Sequence, residues 1–582
     1  MSFLRSRPVW VAATLLVVVV ALIASFSSGC TRKPPTGPTT TTPGTNGGLT
    51  TALSGLETKQ DADTCRIALQ QLDNLESTGT RPLLADNERA ELTALFRFTK
   101  TEEAEISQPT FSQTDAAYLE ECFLVRAGVR SLKIDERKPL EKARIGFDWV
   151  CRMVYVDDRV PWTANPWTTL QTGSGVALSR AYVVLAAWQQ LGLNGCLIGP
   201  PALKTTWSCK QEIPGAPPQA FIPGVPVEYA PVRVCGLKVG ADVFLFDHSS
   251  GKAIPSPDGK SVLTLAQAKA APNAVKSLGS VDEVKTWQPF LAPSLSCMAR
   301  RMEWLEKLNP ANSGVNLFVD IKALRDEFTK DLPGQPVDGW NPEGDSHTAT
   351  RILGRYAAEE TTTKSKISLR DRHRVQIVPL ENMPKTALSG EAEGRIKMQY
   401  ALQFEVLRYS WGSARDSLVR GLFSEATAAL EDMKTVFENA STGFDNDKGL
   451  LKDFDEWADK FQSLSAAIIR ARERDPAALP AAEAKMAGFL ADRHNQDIQR
   501  AFVRGTAARP LVAEVTYLMA SAVHERAERA QLNGSDRAAG LWGNAHQWWE
   551  RFLDVSARAH SPLPAREAQG RALKARCEQF LK

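Results

Sequence analysis

Along residues 51–135 apolar side chains return every three or four positions: Cys65, Leu69 and Leu72, then Leu92, Leu95 and Phe96, then Leu119, Cys122 and Phe123. One apolar stripe per segment is what a helix lying on a core requires. The stretch therefore reads as helical, punctuated at Gly79 and Pro82. From residue 136 the pattern changes. A helix is predicted over 143–154, with Ile145, Trp149 and Met153 on one face, followed by a loop holding Pro161, Trp162, Pro166 and Trp167. Gly173-Ser174-Gly175 opens a second helix, 176–191, dense in Ala, Leu and Val. Gly192-Leu193-Asn194-Gly195 then turns into an apolar strand, Cys196-Leu197-Ile198. After a Pro/Gly-rich insertion over 199–231, the runs 232–237 and 243–246 flank a short polar gap containing Gly240, which suits a hairpin.

Beyond residue 290 the helical period dominates. Leu422, Ala426, Ala429, Leu430, Met433 and Phe437 form one stripe, and Leu451, Phe454, Trp457, Phe461, Leu464 and Ile468 a second. Leu511, Val515, Leu518 and Ala522 form a third, and Trp542, Ala545, Trp549 and Phe552 a fourth, with Trp548 off the main stripe. Stripes this broad need partners, so a bundle or α-solenoid is expected. The helix pairs resemble tetratricopeptide-type hairpins, without a strict repeat period. The predicted class is α+β: an α/antiparallel-β module flanked by helices, then a mostly α-helical region. The expected division is a helical region at 51–135, the α+β module at 136–290, a helix plus irregular linker at 291–395 and a helical domain at 396–582.

The chain of 582 residues is 43% hydrophobic and 24% charged, which excludes a polytopic membrane protein and a mostly disordered one. Its 70 Lys and Arg nearly balance 67 Asp and Glu, so no bulk attraction to nucleic acid is expected. The first thirty residues stand apart. Arg5 and Arg7 precede an uncharged apolar run from Val9 to Phe26, which ends in Ser27-Ser28-Gly29-Cys30. This resembles a bacterial lipobox, although Ser27 stands where such motifs usually carry Leu. The resemblance implies cleavage of 1–29, lipidation of Cys30 and a membrane anchor on the periplasmic or extracellular face. An uncleaved signal-anchor helix is the alternative, and either places the bulk of the chain outside the cytoplasm. Residues 31–50, rich in Thr, Pro and Gly, have almost nothing apolar to bury and read as a disordered tether.

The segment 143–251 resembles the transglutaminase-like domain, a papain-like thiol fold. In that family a Gly-x-Cys turn starts a helix that ends in a Leu-Gly-Ile turn, and a His and an Asp follow on a hairpin. Gly175-Val176-Ala177 stands at the first motif, Leu191-Gly192-Leu193 at the second, and Asp247 closes Val243-Phe244-Leu245-Phe246-Asp247 as the family's Asp closes its strand. The resemblance implies a thiolate at a helix N-terminus, an imidazole as base and a carboxylate that orients it. Here the nucleophile position is Ala177, and counting back from Asp247 puts the His position at Val232 or Arg233. The module is therefore expected to be catalytically degenerate, with Asp247 capping its own turn through Gly251.

Two functions follow. The first is an envelope lipoprotein whose non-catalytic module and helical domain bind an envelope protein or peptide. The alternative is an active thiol hydrolase or acyltransferase using Cys235, His248 and Asp247. Cys196, Cys209 and Cys235 could be apolar packing residues, or Cys209 could pair with either of the others in an oxidising compartment. Metal and cofactor signals are absent: His524-Glu525 is followed at position 528 by Glu rather than the second His of a zinc helix, no Cys-x-x-Cys occurs, and Gly173-Ser174-Gly175 is too short for a phosphate loop. The basic run Arg370, Arg372, His373 and Arg374 reads as a solvated loop.

Overall fold

The computed structural model describes residues 61–75, 81–156, 163–201, 203–207, 225–229, 232–308, 314–332, 334–341, 412–446, 448–558 and 564–581. The signal and tether segments, Cys30, Cys209 and the basic run at 370–374 lie outside them. The first part is helical: α1 (Ala62–Leu75), α2 (Asp86–Phe96), α3 (Lys100–Ser107) and α4 (Gln113–Arg130). Capping boxes start α3 and α4. Thr99 with Glu102, and Ser112 with Asp115, satisfy N–H groups that a helix start leaves without partners.

The mixed segment follows with α5 (Pro139–Met153), β1 (Tyr155–Val156), α6 (Pro166–Thr172), β2 (Ser174–Gly175) and α7 (Ala177–Gln190). Then come β3 (Asn194–Gly199), β4 (Leu203–Trp207), β5 (Val225–Tyr229), β6 (Val234–Val239), β7 (Asp242–Asp247) and β8 (Lys252–Ala253). Short helices α8 (Leu265–Ala270) and α9 (Val281–Thr286) lead to β9 (Gln288–Leu291), α10 (Arg300–Leu308), α11 (Ile321–Asp331) and β10 (Asp338–Gly339). The first predicted helix starts four residues early because Pro139, with its φ preset and no N–H to lose, occupies the first turn. The hairpin strand begins at Val234 rather than 232, although Arg233 N already donates to Ile198 O at 2.8 Å.

The main sheet runs in the order β10-β9-β3-β6-β7-β8, with β10–β9 parallel and the other pairs antiparallel. Gly240, at φ +59°, makes the β6–β7 turn. Register sorts the side chains onto two faces. Leu197, Cys235 and Phe246 align across three strands and face one core, shared with α5, α7 and the C-terminal helices. Cys196, Gly236 and Leu245 align one step away; Cys196 and Leu245 face a second core, shared with α1–α4 and residues 254–337. A Cβ on Gly236 would lie 2.8 Å from Cys196 Sγ and from Ile198 Cγ1, so only glycine fits between those strands.

The C-terminal part contains α12 (Gly412–Arg420), α13 (Phe423–Asn446), α14 (Lys448–Arg474), α15 (Leu479–Ala491), α16 (Arg493–Leu532), α17 (Ala538–Arg558) and α18 (Pro564–Leu581). Helix α16 packs on α13 and α17, and α17 packs on α18. Trp457, Leu518, Trp542, Trp549 and Phe552 are buried. Trp548, off the stripe, is partly buried and carries the Arg551 guanidinium over its ring. Leu422 departs from the predicted stripe. It immediately precedes α13 and is exposed, and its carbonyl accepts from Ala426 N. At the coarse level the fold of the described residues is α+β, mostly helical, with the six-stranded mixed sheet and two two-stranded ones, β1–β2 and β4–β5.

Candidate functional site

The start of α7 is built by glycines and hydroxyls. Gly173 ends α6 in the left-handed region, at φ +69°. A Cβ on Gly175 would lie 2.8 Å from Ser179 Cβ, so the chain can pass the helix start only as glycine. Ser179 Oγ accepts from Ala164 N at 2.8 Å and ties the preceding loop to the helix. Val176 supplies no side-chain cap, and Ala177 is the first helical residue. One turn further, Arg180 donates from Nη1 to His248 O at 3.0 Å, which joins the helix start to the far end of the β6–β7 hairpin. The α7 start and the end of the hairpin named from the sequence thus lie side by side. Ala177 offers a methyl group. Val232 is partly buried against the core, and Arg233 donates from Nε to Glu283 Oε1 at 2.7 Å.

Asp247 is occupied by its own turn. Its Oδ1 accepts from Ser249 N at 2.9 Å and Ser250 N at 3.2 Å, and its Oδ2 from Ser250 Oγ at 2.5 Å. Gly251, at φ +72°, closes the turn by donating to Asp247 O at 2.9 Å. This is the Asx-turn arrangement. His248 is 2% exposed, and its Nδ1 has no hydrogen-bond partner among the described residues. Burial pulls its imidazolium down to a pKa of about 4, against the opposing pull of Asp247 and with help from Arg180. Cys235 is fully buried, and burial pushes its thiol well above the ordinary range. Among the described residues the side chains of Cys235, His248 and Asp247 make no hydrogen bond to one another. Cys196 and Cys235 are free thiols on opposite faces of the sheet.

A cavity of about 480 Å³ lies elsewhere on α7. Tyr182, Leu185 and Gln189 line it from the helix, Tyr118 and Glu121 from α4, and Asn316, Phe318, Val319 and Asp320 from the loop into α11. None of Ala177, Val232, Cys235, Asp247 or His248 borders it. Sequence reasoning missed this site because its walls come from segments far apart in the chain, and none carries a motif. Among the described residues no group of His, Cys, Asp and Glu is placed to hold a metal ion, and no helix is long and apolar enough to cross a membrane. No protein family, no curated protein and no solved structure matches this chain.

Proposed function

We propose that this chain is a membrane-anchored cell-envelope lipoprotein whose transglutaminase-like module is non-catalytic and whose helical region serves protein interaction. Ala177 carries the reading. A thiol fold places its nucleophile at the helix start so that the dipole favours the thiolate, and a methyl group there can neither attack nor leave. Two further observations support it. The Asp247 carboxylate spends its oxygens on Ser249 and Ser250. Arg233, at one of the two positions where an imidazole would stand, is paired with Glu283. The anchor rests on Cys30 after its apolar run and on the Thr/Pro/Gly tether that follows.

The test uses the mature chain with a thiol-reactive acyl probe and an amine-incorporation substrate. No turnover is expected, and Cys235 should stay unlabelled until denaturant is added, because neither access nor ionisation favours its sulfur. Stoichiometric labelling of Cys235 in the folded protein, with activity lost in Cys235→Ser, would establish the hydrolase or acyltransferase instead. Anchoring is tested separately: Cys30→Ala should remove lipid labelling and change the processing of residues 1–29. An Ala variant processed and membrane-bound like the parent defeats the lipoprotein reading.

A further inference from the structure

The main sheet opens where the cavity beside α7 lies. On one edge of β3, Leu197, Ile198 and Gly199 face Phe290, Pro289 and Gln288 of β9. Pro289 has no N–H, so the pairs that exchange two hydrogen bonds are Leu197 with Phe290 and Gly199 with Gln288. Main-chain groups alternate between the two edges of a strand. The next N–H and C=O on this edge therefore belong to Gly195 on one side and Ala292 on the other. Two contacts agree with that phase. Leu291 O, turned the opposite way, accepts from Trp340 N at 2.8 Å, and Ile198 O, on the β6 edge of β3, accepts from Arg233 N at 2.8 Å. The ladder nevertheless stops at Leu197. Among the described residues no hydrogen bond joins Gly195 to Ala292, and their N–H and C=O groups have no other partner on this edge.

The gap between them is the cavity of about 480 Å³: residues 192–195 line it on one side and 291–294 on the other. Gly195 brings no side chain to that edge. A Cβ there would lie 2.7 Å from Trp188 Cε3 and 2.9 Å from Leu185 Cδ2, so β3 runs flush against α7 and leaves its backbone open to a further chain. Leu185 and Leu193 pack with the α7 core, and Val319 and Leu324 with the second core, so the cavity has an apolar wall on each face of the sheet. An extended peptide matches all of this. It carries an N–H and a C=O to each edge in turn, and its side chains alternate between the two faces. We propose that the cavity takes a short extended segment of a partner protein, apolar in its side chains, which enters as a strand and hydrogen-bonds through its main chain to Gly195 and Ala292. The contact lies in the α+β part rather than the helical region, and it is independent of whether the α7 start is catalytic.

Calorimetric titration of the full chain with a capped hexapeptide, acetyl-Ser-Val-Ile-Val-Thr-Ser-amide, tests it. The control is the same peptide N-methylated at its two Val residues, which keeps the side chains and removes the donors of one edge. Saturable binding of the plain peptide is expected, with the methylated one weaker by about tenfold or more. Hydrogen exchange should find the Gly195 and Ala292 amides exchanging freely in the chain alone and slowed in the complex, an effect that side-chain packing elsewhere in the cavity would not produce. Ala292→Pro removes one edge donor and no ladder bond, so it should melt like the parent and bind the peptide about tenfold more weakly. Ala186→Trp, which fills the cavity from α7, should abolish binding. The two peptides on the unaltered chain decide the matter even if a variant misfolds. No saturable binding at about millimolar peptide, equal affinity for the methylated peptide, or binding that leaves both amides unprotected would each overturn the proposal. So would protection of those amides before peptide is added, which would mean that the edge is filled from within the chain, or dimerisation that the peptide reverses, which would put a second copy there.

Discussion

Asp247 and His248 are neighbours with opposite demands on their surroundings. The carboxylate organises two backbone N–H groups and one hydroxyl, on Ser249 and Ser250, which are exposed, so replacing it removes hydrogen bonds that water can only partly restore. Asp247→Ala should therefore cost about 0.5–1.5 kcal/mol, read from urea unfolding, while amine incorporation stays at the background of the parent. A loss of activity without a loss of stability would give Asp247 a chemical role. The imidazole next to it is kept neutral by burial, with a folded pKa of about 4 against an ordinary 6.5. The unfolded chain takes up a proton at His248 near pH 6.5, and the folded chain does so only near pH 4. The stability held by the neutral ring is thus complete above pH 6.5 and is lost as pH falls towards 4, up to about 3 kcal/mol. His524 is also buried and pulled down, so the parent's whole profile is composite. Subtracting the profile of His248→Phe from that of the parent isolates the ring, and a flat difference between those two pH values would remove it as a titrating group.

At the scale of elements, Gly128 shows how closely α4 is pressed against its neighbours. A Cβ there would sit 2.5 Å from Trp149 Cζ2 on α5 and 3.0 Å from Val419 O on α12. The Trp149 ring is fully buried and cannot retreat, so Gly128→Ala should cost about 1–3 kcal/mol despite the better helix propensity of alanine. Stability unchanged in urea would mean that the helices separate easily. Sequence pattern found the elements whose signals are local. Helix α7 was legible from its apolar density between Gly175 and Gly192, and the β6–β7 hairpin from two apolar runs around Gly240. The turn role of Asp247 was legible too, because Ser249, Ser250 and Gly251 follow it directly. The placement of β9 was not. Phe290 pairs with Leu197 across more than ninety residues, and its own short apolar run does not name that partner. The cavity beside α7 was illegible for the same reason: Glu121, Glu306 and Asp320 are unremarkable in sequence and meet only when α4, α10 and the start of α11 close around α7.

Across the whole molecule, the helical part and the α+β part are joined by buried charge. Arg152, at the end of α5, donates from Nε to Glu525 Oε1 on α16 at 2.5 Å, and its Nη1 lies 3.9 Å from Glu528 Oε1. Arg529 donates to the same Glu525, and Arg576 on α18 to Glu528. Burial pushes the Glu528 carboxyl up, but Arg152, His524 and Arg576 together hold it well below its ordinary range. Helix α18 adds a second tie, with Gln569 Nε2 donating to Arg152 O at 2.9 Å and Arg566 Nε to Tyr155 Oη at 2.7 Å. A network with three arginines and two carboxylates responds unequally to its deletions. Arg152→Met leaves Glu525 with Arg529 and Glu528 with Arg576, so both buried carboxylates keep a partner. Glu525→Leu leaves Arg529 without its carboxylate and Arg152 with only the longer approach to Glu528. Breaking one side of a buried pair costs about 3–5 kcal/mol. Glu525→Leu should therefore reach that range and Arg152→Met should fall short of it. Hydrogen exchange should show α5 and α16 losing protection together in Glu525→Leu, because they share one core. Equal losses in the two variants, or loss of protection in α16 alone, would mean that the network does not couple the two parts.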